Sequence, residues 1–174
     1  TSSIGTLTIN PVFDIVPNQA SATGSTDGFT VKIDGSQSSA KNTISSAKDK
    51  KIILIPSKED EGHYFNGFTV TKSKGDTVSV TESSGEYSFT MPDDDVTVTA
   101  DYPAFEGTIH FDLNGADSGT KPGDLTNVKY GQNITFPAQG DIVKANYVFM
   151  GWKYNDGQKD IVYKAGPYEE KNVK

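Results

Sequence analysis

Four aromatic side chains near the end of the sequence are the strongest candidates for binding chemistry: Trp152, Tyr154, Tyr163 and Tyr168. Exposed aromatic rings hold sugars by stacking, because the ring face is flat, apolar and electron-rich. The same residue types also fill the cores of small β-proteins. Strand alternation places Phe149 and Trp152 on opposite faces, so one of the two must lie in the core. We therefore predict mainly structural roles, with glycan binding as the alternative.

The sequence offers few of the groups that catalysis or a metal site requires. Cysteine is absent, and His63 and His110 are the only histidines. A shared metal site would need both to converge with carboxylates, although they lie far apart in the sequence. Motifs of serine hydrolases, zinc proteases and phosphate-binding loops are missing, and no spacing singles out a glycosidase pair among the 23 acidic residues. We predict no enzymatic activity, no cofactor and no metal ion.

Two acidic turns contain the oxygen ligands that calcium prefers. Residues 93–95 are three consecutive aspartates, and residues 112–117 place three oxygen donors around Gly115. The first turn lacks the alternating spacing and the glycine of a loop-type calcium site, so we predict a solvated turn there. The second turn is the more suggestive of the two.

The overall composition excludes several classes of partner. The chain has 174 residues and a formal net charge of −7, and all sixteen basic residues are lysine. Nucleic-acid binding requires clustered cations and favours arginine, so an acidic chain without arginine argues against it, and against docking on anionic lipid. The absence of cysteine argues against a eukaryotic extracellular module. No apolar stretch reaches membrane length, and we expect a monomeric piece of a longer protein whose export signal and anchor lie elsewhere.

Alternating side chains predict a chain made mainly of β-strands. Residues 29–33, 68–71 and 96–102 alternate apolar with polar side chains, and threonine dominates the polar positions. Hydrophobic residues make up only 34% of the chain, which suits two small cores better than one large core. At most one or two short helices are expected, within residues 36–50 and 140–146, where the apolar spacing is roughly helical.

Three sequence blocks recur in the same order and predict two tandem modules. We expect β-rich modules over residues 28–103 and 104–174, preceded by residues 1–27 as a lead-in or the end of a preceding module. Residues 89–102 close the first copy and have no counterpart in the second, which either closes differently or stops one strand short. The paired blocks are 29–35 with 108–115, 51–56 with 132–137, and 62–68 with 146–152.

Two motifs in the second module resemble a known bacterial repeat. Residues 128–131 read Val-Lys-Tyr-Gly and residues 149–152 read Phe-Met-Gly-Trp, with Asn146 in place of the usual glycine. Over about residues 107–174 the chain resembles the Listeria–Bacteroides repeat, also called the internalin B-repeat. Residues 29–102 resemble related repeats of bacterial surface proteins, since the segment from Phe89 to Ala100 reads F-T-M-P-x-x-D-V-T-V-x-A.

The resemblance implies a β-grasp-like fold for the second module and a related β-rich unit for the first. It also implies that Trp152 packs in the core and that residues 112–117 form a structural turn. It implies no reaction.

We predict a non-catalytic repeat region of a secreted or cell-surface bacterial protein, acting as a stalk, a spacer or an adhesion module. Its expected partner is a host or cell-surface protein or a glycan, and neither nucleic acid nor membrane insertion is expected. The alternative is a carbohydrate-binding or accessory module of a secreted polysaccharide-degrading enzyme, for which coplanar exposed aromatic rings would be the sign.

Overall fold

The computed structural model describes residues 11–17, 29–39, 42–155, 157–165 and 169–170. Within these residues the chain forms sixteen β-strands and no helix, which confirms the prediction of a mainly β protein. The β-grasp-like arrangement of the second module stays a prediction. The chain divides into two units, Thr1–Pro103 and Ala104–Lys174. The described residues include no helix that is long and apolar enough to cross a membrane.

The first unit contains two five-stranded sheets. One has the order β4-β1-β10-β6-β7, and the other has the order β3-β2-β5-β9-β8. In the first sheet the last strand of the unit is central, parallel to β1 and antiparallel to β6. The strands are β1 (Val12–Pro17), β2 (Phe29–Ile33), β3 (Ser36–Ser39), β4 (Ile44–Ala47), β5 (Lys51–Pro56), β6 (Gly67–Lys72), β7 (Thr77–Val78), β8 (Thr81–Ser83), β9 (Glu86–Thr90) and β10 (Val96–Asp101).

Both sheets of the first unit contribute to one hydrophobic core, as the alternation of their residues dictates. On β10 the side chains of Val96, Val98 and Ala100 are buried, whereas those of Thr97 and Asp101 are exposed. The other sheet supplies further buried side chains from β2, β5 and β9, and Met91 fills the space after β9. The buried cluster is Ile15, Phe29, Val31, Ile52, Leu54, Val70, Phe89, Met91, Val96, Val98, Ala100 and Tyr102.

Residues 36–50, one of the two segments in which a short helix was possible, form β3 and β4 instead. Asp34 and Gly35 both have positive φ angles, 47° and 82°, and connect β2 to β3 as a tight hairpin. An Asp-Gly pair favours this turn, since its twist matches that of the flanking strands. Ile44 then begins β4, which pairs with β1. Residues 140–146 likewise form turns and no helix, with Gly140 at φ 59°.

The aspartates at residues 93–95 form a structural turn at the start of β10. An Asp95 carboxylate oxygen accepts a hydrogen bond from the backbone N–H of Asp14 at 2.8 Å. The hydroxyl of Ser73 donates to Asp94. A hydrogen bond from its own backbone, aided by the charge of Lys48, lowers the pKa of Asp93. These carboxylates therefore join β10 to its two neighbouring strands.

The described residues of the second unit form three two-stranded sheets: β11-β12, β13-β16 and β14-β15. Its core is built around the buried side chains of Phe111, Ile134 and Phe136. β11 pairs antiparallel with β12, the next strand along the chain. The strands are β11 (Glu106–Ile109), β12 (Leu125–Lys129), β13 (Ile134–Thr135), β14 (Trp152–Asn155), β15 (Asp160–Tyr163) and β16 (Glu169–Glu170).

Candidate functional site

A cleft of about 690 Å³ in the second unit brings together most of the aromatic candidates. We call it the second-unit cleft. One wall is residues 109–114, which include the end of β11, and the other is residues 147–154, which lead into and form most of β14. Phe136 and Tyr163 lie at its base among the core residues. The lining is mainly apolar, as in sites that bind by burial and shape.

Trp152 is held in the core side of the cleft. Its ring centroid lies 4.6 Å from that of Phe111, and its Nε1 donates a hydrogen bond to the backbone oxygen of Pro137 at 2.8 Å. The prediction that Phe149 faces away from Trp152 is wrong, because the two rings meet edge to face at 5.5 Å. Gly151, at φ 136°, interrupts the extended backbone between them, so simple alternation does not apply.

The other aromatic candidates differ in exposure. The ring of Tyr163 stacks on Phe136, with centroids 4.6 Å apart and planes 9° apart. Tyr154 is 55% exposed and offers a ring to solvent. Tyr168 lies outside the described residues. Of the three candidates that the structure describes, two rings are therefore fixed by packing and one ring, that of Tyr154, is accessible.

Three apolar residues in the cleft wall were not among the predicted site residues. The side chains of Tyr147, Val148 and Met150 are 72%, 83% and 76% exposed. Because residues 146–151 were expected to form a regular strand, these side chains were expected to alternate between core and solvent. The sequence contains a signal for them, because residues 147–150 are four consecutive apolar residues, Tyr-Val-Phe-Met. When such a run is exposed, it marks an interaction surface.

The charged groups around the cleft are engaged in structural contacts. Lys144 donates to the backbone oxygen of Asn114 at 2.8 Å, and its nitrogen lies 5.0 Å from the centre of the Tyr147 ring. Hydrogen bonds from Asn155 and then from Lys153 lower the pKa of the Asp160 carboxyl. Each of these charged groups therefore contacts neighbouring protein atoms.

The second calcium candidate, the turn at residues 112–117, and the histidine candidate His110 are likewise engaged in local hydrogen bonds. In the turn at residues 112–117, Asp112 accepts a hydrogen bond from the backbone N–H of Asn114 at 2.7 Å, and Asp117 accepts one from Ala145 at 2.6 Å. His110 Nδ1 lies 2.8 Å from a carboxylate oxygen of Asp124, whose pKa this contact lowers. Within the described parts of the chain, no three histidine, aspartate or glutamate side chains come together as a metal site.

Comparison with known proteins gives two matches in sequence. Residues 29–105 match the model of the divergent InlB B-repeat domain. A protein of Evansella cellulosilytica, provisionally named a Gly-rich membrane protein, is 36% identical over 80 residues, which is 45% of this chain. The chain spans only 9% of the length of that relative. No solved structure matches. Residues 29–105 are thus similar to the divergent InlB B-repeat domain, which confirms the resemblance of this chain to the internalin B-repeat.

Proposed function

We propose that this chain is a non-catalytic repeat region of a bacterial surface protein, and that it acts as a spacer that transmits force along a stalk. The match of residues 29–105 to a B-repeat domain supports a repeat role. The partial similarity to a protein named as a membrane protein supports a location at the cell surface.

The observation that carries the proposal is the parallel pairing of the first and last strands of the first unit. β1 and β10 are neighbours, with Ile15 opposite Val96 and Pro17 opposite Val98. The chain enters through the start of β1 and leaves through the end of β10. Tension between these ends pulls two parallel neighbours in opposite directions, so their hydrogen bonds are loaded together in shear. By contrast, an antiparallel pair that is pulled apart from one end loses its hydrogen bonds one at a time, so that each bond breaks at a lower force.

Force spectroscopy with two attachment geometries tests this function. The chain has no cysteine, so cysteine handles can be placed at will. Handles replacing Val12 and Asp101 pull β1 against β10 in shear, whereas handles replacing Val12 and Lys48 open the antiparallel pair of β1 and β4 from one end. We expect a severalfold higher rupture force for the first pair, with a length gain of about 300 Å at roughly 3.4 Å per residue.

The opposite ranking of the two rupture forces, or equal forces, would remove the support for a force-transmitting spacer. Both variants keep the same core, since Val12, Lys48 and Asp101 are exposed. A difference between them therefore reports the direction of pulling and not a loss of stability.

The accessible ring of Tyr154 favours a second candidate, glycan binding by the second unit. Affinity electrophoresis against a panel of polysaccharides tests it with Tyr154→Ala, since replacing Trp152 would also remove core packing. The spacer function predicts unchanged mobility on every glycan. Retardation on one glycan that Tyr154→Ala abolishes would favour the carbohydrate-binding function.

A further inference from the structure

The chain contains two sulfur atoms, and the fold places them in opposite environments. Cysteine is absent, so both atoms belong to the thioethers of Met91 and Met150. Met91 lies in the core of the first unit and is fully buried, whereas Met150 is 76% exposed. An oxidant must reach the sulfur lone pair, so the susceptibility of a thioether follows its exposure. Oxidation of sulfur in the folded chain is therefore directed to Met150.

The residues on either side of Met150 are held by packing. Phe149 is partly buried and meets the ring of Trp152 edge to face at 5.5 Å. Gly151 is also partly buried, and it lies so close to β15 that a Cβ there would overlap the backbone oxygen of Tyr163. Because both neighbours are packed against the second unit, the fold itself presents the Met150 side chain to solvent.

Met150 also forms part of the apolar wall of the second-unit cleft. Tyr147 and Val148 lie in the same wall and are exposed as well. A thioether is apolar and polarizable, whereas a sulfoxide is polar and carries an oxygen that accepts hydrogen bonds. The addition of an oxygen atom to Met150 therefore makes this wall polar without any change in the backbone.

We propose that Met150 is a site of reversible oxidation, at which a peroxide converts the thioether to the sulfoxide and changes the polarity of the cleft wall. With hydrogen peroxide, the sulfur lone pair attacks an oxygen atom and the O–O bond breaks. The oxygen bound to sulfur then passes its proton to the departing hydroxide, which leaves as water. The sulfur is oxidised and the peroxide is reduced by the same electron pair.

The exposure of Met150 also makes the modification reversible. Methionine sulfoxide is reduced back to the thioether by dedicated reductases, one for each of its two epimers. Such an enzyme must enclose the oxidised side chain, which an exposed position allows and a core position does not. Oxidation of Met150 is independent of the spacer function.

Treatment of the 174-residue chain with hydrogen peroxide, followed by peptide mass spectrometry, measures the rate of oxygen addition at each methionine. Met150 is expected to react within about twofold of the rate of free methionine, and Met91 about tenfold or more slowly, because the first unit must open before its sulfur reacts. In urea, both are expected to react at equal rates. Equal rates in urea would show that the fold sets the difference.

Trp152 reports the change in the cleft wall, because it is the only tryptophan of the chain and lines the same cleft. Oxidation is expected to shift the Trp152 emission to longer wavelength, and the two reductases are expected to restore it. Met150→Gln places a polar amide in a side chain of similar length, and is expected to give the same shift without peroxide.

Two leucine variants assign the response to one sulfur. Met150→Leu keeps the wall apolar and is expected to abolish the emission change on peroxide treatment. Met91→Leu is the matched change in the core, where a swap of similar volume is well tolerated. It is expected to leave both the emission change and the oxidation of Met150 unaltered.

Four results would overturn the proposal. The first is oxidation of Met91 as fast as that of Met150 in the folded chain. The second is failure of the reductases to remove the oxygen from Met150. The third is an absent emission change, or one that persists in Met150→Leu. The fourth is a lower urea midpoint of the second unit after oxidation, because Met150 would then contribute to the core and not to an exposed wall.

Discussion

Ile52→Ala is expected to lower the free energy of unfolding of the first unit by about 2–5 kcal/mol. Ile52 lies on β5 with its side chain fully buried, opposite Ile33 on one neighbouring strand and Phe89 on the other. Truncation leaves a cavity in the core that both sheets share, and close-packed surroundings fill such a cavity only partly. Urea denaturation followed by far-ultraviolet circular dichroism measures the loss.

Val12→Ala is the matched control for this prediction. It removes apolar groups from a strand of the same unit, but the Val12 side chain is 63% exposed. The free energy of unfolding is expected to change by less than about 0.5 kcal/mol. Similar losses for the two variants would show that Ile52 is not in a packed core.

Gly151→Ala is expected to destabilise the second unit by about 3 kcal/mol or more, because steric overlap and backbone strain act together. A Cβ at this position would lie 2.2 Å from the backbone oxygen of Tyr163, and the glycine has a φ angle of 136°. The substitution therefore forces β14 away from β15. Trp152, the next residue, reports the unfolding transition of this unit by its fluorescence during urea denaturation.

Gly157→Ala separates the two causes. Gly157 also has a positive φ angle, 90°, but a Cβ there meets nothing within 4 Å. The expected cost is about 1–2 kcal/mol from the backbone alone. If Gly151→Ala were no more harmful than Gly157→Ala, the close approach of β14 to Tyr163 would be contradicted.

Strand content could be predicted from the sequence because alternation is a local property. The pattern of residues 96–102 predicts a strand with one buried face, and Val96, Val98 and Ala100 are buried as expected. Within residues 36–50, where the sequence left a short helix possible, strands form instead, since pairing with β1 and β2 decides the structure of this weakly apolar segment. Tertiary pairing of this kind overrides weak local spacing.

The candidate site could be predicted only in part. Its aromatic residues are visible in the sequence, and packing of Trp152 followed from the family resemblance. The exposure of Val148 and Met150 was missed despite the apolar run at residues 147–150, because burial of an alternating segment depends on whether a further strand covers it. A positive φ angle at Gly151 also shifts the register of side chains, which a period of two does not anticipate.

Amide hydrogen exchange of the 174-residue chain, resolved by NMR, tests most directly the claim that β10 is the central strand of its sheet in the first unit and that residues 147–150 form an exposed wall of the second-unit cleft. Val98 and Ala100 on the central strand are expected to be among the most slowly exchanging residues. The amides of Val148 and Met150 are expected to exchange at nearly the rate of an unprotected peptide. Strong protection at Val148 and Met150 would contradict the account, because it would show that this wall of the cleft is covered.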